Sequence, residues 1–233
     1  MTAPRKLDGI LFDKDGTLFD FRATWDAWAA DLIVELAEGD AALAAEIAAA
    51  IAFDLPNGQF MPHSPVIAGT GREAAECVAQ ALPGVDLDAL ELRMNTSAAH
   101  APLAPAVPLS PLLAALSGRG LALGVMTNDS EMGALAHLQG AGVQDHFDFI
   151  AGFDSGFGAK PDAAPLLAFC DHMRLSPGRV AMVGDSNHDL MAGRAAGMVT
   201  IGVLTGIAGA DDLAPLADVV LPNIGALPQW LDS

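Results

Sequence analysis

Apolar residues fall along the chain in two textures. Ile10 to Phe12, and then "LALGVMT" (121–127), "FDFIAG" (147–152), "VAMVGD" (180–185), "VTIGVL" (199–204) and "DVVL" (218–221), are short apolar runs separated by polar or amphipathic stretches. That alternation predicts parallel strands joined by crossover helices. Between about residues 20 and 104 the strand signal disappears. "TWDAWAADLIVELAEG", "DAALAAEIAAAIAFDL", "GREAAECVAQALPG" and "DLDALELRMNTSAAH" place apolar residues near helical spacing on Ala-rich faces and read as helices. "APLAPAVPLSP", with Pro102, Pro105, Pro108 and Pro111, reads as a stiff connection back to the strand-rich part, because proline is excluded from a helix interior. The expected fold is α/β: a Rossmann-like parallel sheet flanked by helices over residues 1–19 and 105–233, with an all-helical domain over 20–104 inserted after the first strand.

Composition narrows the function classes. At 233 residues and 52% hydrophobic the chain can bury a large core. A formal net charge of −18 argues against a nucleic-acid footprint and against attraction to anionic membranes. No uncharged apolar run is long enough to span a bilayer. The N-terminal "MTAPRKLDGILFD" has an apolar run too short, and broken by Asp8 and Asp13, to read as a signal peptide. Cys77 and Cys170 lie in helical runs, read as buried thiols, and lack metal-ligand spacing. These features fit a soluble cytoplasmic protein in a reducing compartment.

The chemistry gathers where strands end. "ILFDKDGTLFDF" begins as a buried strand and runs into Asp13 and Asp15. If the chain stays extended there, alternation puts both carboxylates on one face, where they repel each other unless a cation is present. In open α/β sheets ligands collect outside the carboxyl ends of the strands. "GVMTND" ends there in Thr127 and Asn128, and "VAMVGDSNHD" in Asp185 with Asp189 behind it, while "GFGAKPD" offers Lys160, one of only three lysines with Lys6 and Lys14. Carboxylates for Mg²⁺, with a hydroxyl and a lysine for phosphate oxygens, are the parts that phosphoryl chemistry needs.

With "DKDGTLFD" from Asp13, Thr127, Lys160 and "GDSNHD" in that order, the chain resembles phosphatases of the haloacid dehalogenase-like superfamily, phosphoglycolate phosphatase-like subgroup. The helical insert resembles that subgroup's mobile cap in position and size. The resemblance implies Asp13 as nucleophile forming an aspartyl-phosphate, and Asp15 as general acid and then base. It implies Thr127, Asn128 and Lys160 as phosphate holders, Mg²⁺ on Asp13, the Asp15 carbonyl and Asp185, and Asp189 orienting Lys160 or the metal. Gly16 would form the tight turn after the strand, where a side chain could strike the phosphate. Lys14 departs from the apolar residue usual between the two aspartates; it is expected on the opposite face, bearing on packing or the cap more than on the chemistry.

Each residue has a plainer reading. Asp185, Ser186, Asn187 and Asp189 are ordinary helix caps taken singly, Thr127 an ordinary strand end, Lys160 a solvated lysine. His188 reads as a surface helix residue, like the scattered His63, His100, His137, His146 and His172. Gly69, Gly71 and Ala74 have GxGxxA spacing, but no second parallel strand follows, so the expectation is a cap turn and helix start facing the site. Arg72 there, and Arg22 at the cap hinge, are candidates to meet a second charge on the substrate. Trp25 and Trp28, at i and i+3, pack within the cap or against a second copy, so the chain is a monomer or homodimer.

Within the superfamily, Asp15 favours phosphoryl transfer over dehalogenation. The lack of lysine between Lys14 and Lys160 excludes a Schiff-base hydrolase of phosphonoacetaldehyde. The expected activity is Mg²⁺-dependent hydrolysis of a small phosphorylated metabolite. A phosphosugar mutase, or a catalytically silent binder of a phosphorylated ligand, is the alternative.

Overall fold

The computed structural model describes residues 7–233; Lys6 and the start of the stretch read for a leader lie outside the described residues. In chain order the elements begin with β1 (Gly9–Phe12), α1 (Phe21–Ala37), α2 (Ala41–Ala50), β2 (Phe53–Asp54), β3 (Gln59–Phe60), α3 (Gly71–Ala79) and α4 (Leu87–Ala98). Then come α5 (Leu109–Ser117), β4 (Ala122–Met126), α6 (Glu131–Gly140), β5 (Phe149–Ala151), α7 (Ala164–Met173), β6 (Val180–Gly184) and α8 (Asn187–Ala196). The chain closes with β7 (Val199–Val203), α9 (Ala210–Leu213), β8 (Val219–Leu221) and α10 (Leu227–Leu231).

Six strands form one parallel sheet in the order β5-β4-β1-β6-β7-β8. Strand alternation divides its apolar side chains between two layers. Ile10, Phe12, Leu123 and Val125 face Leu113 and Leu116 of α5 and Leu138 of α6, whereas Leu11, Met126 and Met182 face Phe169 of α7 and Ala192 of α8. Covering both faces leaves the strand ends as the place where polar groups can meet.

Residues from Phe21 to Ala101 build a separate apolar cluster, with Leu32 and Ile33 of α1, Ile47 of α2, Val78 of α3 and Met94 of α4 at its centre. The two crossings between this insert and the sheet domain run side by side. Asp20 N–H donates to Ala104 O (2.8 Å) and Ala106 N–H to Leu18 O (2.9 Å). The insert is not wholly helical. Phe53 and Asp54 pair antiparallel with Phe60 and Gln59, so the run read as helix to Leu55 ends at Ala50. The cause is local: Asn57-Gly58 turns the chain, Gly58 has φ +64°, and Asp54 accepts from the Asn57 backbone and side chain. Of the two free thiols, Cys170 is buried as expected and Cys77 is only half-buried.

Ile33 is fully buried at the centre of the insert's cluster. Ile33→Ala should cost about 2–5 kcal/mol, read as a lower urea midpoint at unchanged slope, because a cavity adds to the lost transfer energy.

Candidate active site

In the observed strand order the chain runs from β1 out through β4 to β5 and then crosses back to β6, so β1 sits at the point where the order reverses. β1, β4 and β6 each deliver their next residue to the crevice: Asp13, Thr127 and Asp185. The ladder continues one step beyond the strands, with Asp13 N–H donating to Val183 O (2.8 Å) and Thr127 N–H to Ala151 O (3.1 Å), which fixes where these residues stand. Lys160 arrives on the loop between β5 and α7. Asn128 holds that loop: Lys160 N–H donates to Asn128 Oδ1 (2.9 Å) and Asn128 Nδ2 donates to Lys160 O (2.8 Å). Asn128, expected on the phosphate, thus acts on the loop that carries Lys160.

Lys160 Nζ lies 2.5 Å from Asp13 Oδ1 and 2.7 Å from Asp189 Oδ1. Asp189 also completes the capping box of α8 with Ser186, accepting from Ser186 N–H (3.0 Å). Asp13, Asp15, Thr127, Asn128, Lys160, Asp185 and Asp189 all line one cleft of about 90 Å³. Asp185 is confined by two glycines. A Cβ on Gly16, at φ +81°, would lie 2.4 Å from its carboxylate, and one on Gly206 only 1.6 Å away. Gly16 is therefore required by Asp185, not only by the space a phosphate would fill. Gly206 carried no signal in the sequence, because the loop after β7 approaches only in three dimensions.

Oxygens of Asp13, Asp185 and Asp189 lie within 4.8 Å of one another, all buried. Burial pushes the Asp13 carboxyl from 3.8 up to about 7; Lys160 opposes the shift, and Asp189 and Asp15 add to it. Asp185 is driven well above its ordinary value, first by burial and then by Asp13 and Asp189. A cluster of buried, mutually repelling carboxylate oxygens suits a hard divalent cation, which takes oxygen ligands and removes the repulsion.

Asp15 lines the same cleft as Asp13 but is not placed there by strand alternation. The chain leaves the strand after Asp13 and turns, with Leu18 and Phe19 N–H both donating to Lys14 O, so alternation lapses. Lys14 departs from its expected place on the opposite face. It is fully buried, with Nζ 2.8 Å from Asp15 Oδ2, 3.0 Å from Asp129 Oδ2 and 2.8 Å from His137 Nδ1. Burial pulls the Lys14 ammonium down, but Asp15 and Asp129 more than offset it.

His137 and His188 also depart from the surface reading. His137 is 1% exposed and bonds through Nε2 to Ala98 O (2.8 Å) of the insert. Burial and then the Lys14 charge hold its pKa below 6.5. His188 lines the cleft and bonds through Nδ1 to Ala68 O (3.0 Å), which also accepts from Asn128 Nδ2 (2.9 Å). A lone histidine in "GALAHLQG" does carry a weak signal, since its neighbours predict a buried helix face.

The insert's wall of the cleft is apolar: Phe21, Trp25, Trp28, Phe60, Val66, Ile67 and Met94, with Thr70 and Asn95 the polar side chains. Trp25 and Trp28 stack edge to face at 5.2 Å within it. Gly69, Thr70 and Gly71 face the cleft at the start of α3, as the turn reading expects. Arg72 and Arg22 are not in its lining. Arg72 pairs with Asp88 (2.6 Å), Glu91 (2.8 Å) and Glu76 (3.3 Å), and Arg22 with Asp26 (3.4 Å) and Gln59 (3.3 Å).

Residues 7–197 match the family of haloacid dehalogenase-like hydrolases. The phosphoglycolate phosphatase of Chromobacterium violaceum is 41% identical over 107 residues, 46% of this chain and 47% of that protein. That of Yersinia pestis is 30% identical over 203 residues, 87% of this chain and 83% of that protein. The chain thus spans about half the length of the first of these relatives and most of the second. Among solved structures, CbbY from Rhodobacter sphaeroides in complex with phosphate superposes with a TM-score of 0.72 at 20% identity, covering 97% of this chain and 100% of that one. A beta-phosphoglucomutase from Clostridium difficile gives 0.69 at 15% identity, covering 97% of each. These last two likenesses show the fold. Among the described residues no helix is long and apolar enough to cross a membrane.

The raised carboxyls set a pH dependence. An acid whose folded pKa lies above its unfolded value loses stability as pH rises from the unfolded pKa through the folded one, here from about 4 through 7 for Asp13. Mg²⁺ should therefore raise the melting temperature more at pH 8 than at pH 5, where binding must first displace protons. Gly206→Ala should weaken Mg²⁺ binding roughly 10- to 100-fold by calorimetry, since it displaces Asp185.

Proposed function

Because the chain belongs to the haloacid dehalogenase-like hydrolases, we propose that it is a Mg²⁺-dependent phosphomonoesterase acting on a small phosphate ester through an aspartyl-phosphate. The observation that carries this reading is the single buried cleft uniting Asp13, Asp15, Thr127, Lys160 and Asp185 at the carboxyl ends of β1, β4 and β6. In the first half-reaction an Asp13 oxygen bonds to phosphorus and the bond from phosphorus to the ester oxygen breaks. The departing oxygen keeps the electron pair and takes a proton from Asp15. In the second, Asp15 removes a proton from water as it attacks phosphorus, and Asp13 is released with inorganic phosphate. Thr127 and Lys160 hold the phosphoryl oxygens, with Lys160 kept in place by Asp13, Asp189 and the Asn128 clasp on its backbone. Mg²⁺, held by Asp13, Asp185 and the Asp15 carbonyl, would neutralise phosphate charge and the crowded carboxylates. Carboxyls pushed up by burial fit this reading, since they are relieved when a cation binds.

The insert's wall favours a particular leaving group. Two tryptophans and the aliphatic edge of Val66 and Ile67 face the site, and among the described residues no insert lysine or arginine does. The positive end of α3 is already met by Glu73, whose carboxylate accepts from Thr70 N–H (2.7 Å). A glycolate carboxylate would find no counter-charge there, whereas an uncharged apolar or aromatic alcohol would bury its surface. Esters of that kind are the preferred substrates in this reading, with 2-phosphoglycolate, on which the relatives' name rests, as the comparison.

Phosphate release should be measured from 2-phosphoglycolate, sugar phosphates and arylalkyl phosphates, with Mg²⁺ and with EDTA. Turnover should need metal, fall at least ~10³-fold in Asp13→Asn, and be highest by kcat/KM for arylalkyl esters. Metal-independent turnover, or full activity in Asp13→Asn, would overturn the mechanism. Conversion of a sugar monophosphate to its isomer without phosphate release would make the protein a mutase, and a higher kcat/KM for 2-phosphoglycolate would overturn the leaving-group assignment.

A further inference from the structure

We propose that Lys14 is a positioning residue that holds the Asp15 carboxylate for proton exchange with the leaving group, and that His137 ties this placement to the seating of the insert. The inference rests on the acid–base role proposed for Asp15.

An ammonium has three N–H donors and no acceptor. Those of Lys14 have Asp15, Asp129 and His137 as nearest partners, all on the sheet domain. Nζ stands 2.9 Å from Asp15 Oδ1 and 2.8 Å from Oδ2, so both oxygens lie against the ammonium and the carboxylate is tethered to it. Each oxygen keeps a second lone-pair direction, and Asp15 still lines the cleft. The side chain is fully buried, and the Trp25 ring of the insert covers its remaining side at 5.4 Å from the centroid. Enclosed in this way, Lys14 has no room to exchange one partner for water.

The tautomer of His137 follows from its contacts. Ala98 O can only accept, so Nε2 carries the hydrogen, which leaves Nδ1 as the acceptor for Lys14. One imidazole therefore connects the Lys14 ammonium to a backbone carbonyl at the end of α4. Lifting the insert would remove the Ala98 acceptor from His137 and the Trp25 face from Lys14 together. Asp15 is then held firmly when the cleft is covered and loosely when it is open, which favours proton transfer in the covered state.

A leaving alkoxide needs a proton as the ester bond breaks, whereas p-nitrophenolate leaves without one. Moreover kcat/KM reports bond breaking and excludes the later hydrolysis of the aspartyl-phosphate, common to both esters. The test compares 2-phenylethyl phosphate with p-nitrophenyl phosphate, two esters each carrying one benzene ring. Lys14→Met should lower kcat/KM about 10²-fold or more for the alkyl ester and less than about 10-fold for the aryl ester. His137→Phe preserves the ring against Phe19 and Trp25 but removes both hydrogen bonds. It should shift the alkyl-to-aryl ratio in the same direction by about 5-fold or more. Equal losses on the two esters, or no loss, in a variant with a wild-type circular dichroism spectrum would overturn the proposal. If Lys14→Met does not fold, His137→Phe decides alone. A wild-type protein that cleaves neither ester would instead overturn the leaving-group assignment on which this inference rests, and the phosphatase reading as well if 2-phosphoglycolate and the sugar phosphates also go uncleaved.

Discussion

Crowding of like charge where water is excluded governs the architecture of the site. Asp13, Asp185 and Asp189 bring oxygens within 4.8 Å of one another in a buried crevice, and Lys160 bridges only Asp13 and Asp189. Repulsion there is little screened, so the fold must hold each group by means other than solvation. Asp189 is held by the capping box of α8 with Ser186, Asp185 by the clearance at Gly16 and Gly206, and Asp13 by the ladder bond to Val183. Each device is a local backbone feature, and together they keep in one place carboxylates that would otherwise move apart. The strain persists as raised proton affinity, which a divalent cation would relieve.

The insert is attached by a different logic. Asn128 and His188 bond to Ala68 O, and His137 bonds to Ala98 O, so the sheet domain grips main-chain carbonyls of the insert. A carbonyl is present whatever the side chain. Side chains that wall the cleft, such as Ile67 and Thr70, thereby take no part in these docking bonds. Asn128 also holds the backbone of Lys160, so one residue of the loop after β4 meets both the lysine-bearing loop and the insert.

Much of this was legible in the sequence, for identifiable reasons. Apolar runs 121–127, 147–152, 180–185, 199–204 and 218–221 each contain an observed strand, because strands buried on both faces leave little choice of residue. Asp13, Thr127, Lys160, Asp185 and Asp189 come together because strand ends converge by topology. The Phe53–Phe60 hairpin was hidden by its length, two residues per strand between helices, although Asn57-Gly58 announced a turn. Arg22 and Arg72 illustrate the opposite limit. In a chain with 29 acidic residues, an arginine beside the site finds a carboxylate of its own helix or its neighbour before it finds a ligand. The contacts of Lys14 with His137, and of His188 with Ala68, lay beyond reach because the partners sit at distant positions: Lys14 meets His137 across 123 residues.

Two aspartates separated by one residue would ordinarily share an environment and so a chemistry. Here both line one cleft, but each has its own lysine. Asp13 faces Lys160, delivered by a loop 147 residues away, while Asp15 faces Lys14, its immediate neighbour. Asp189 shares the first lysine and Asp129 the second, giving each ammonium two carboxylates. The turn at Lys14 is what separates the pairs, since an extended chain would point both aspartates the same way. Distinct roles for neighbouring carboxyls require distinct surroundings. The charged residue between them, out of place as a continuation of the strand, is the residue that creates the difference.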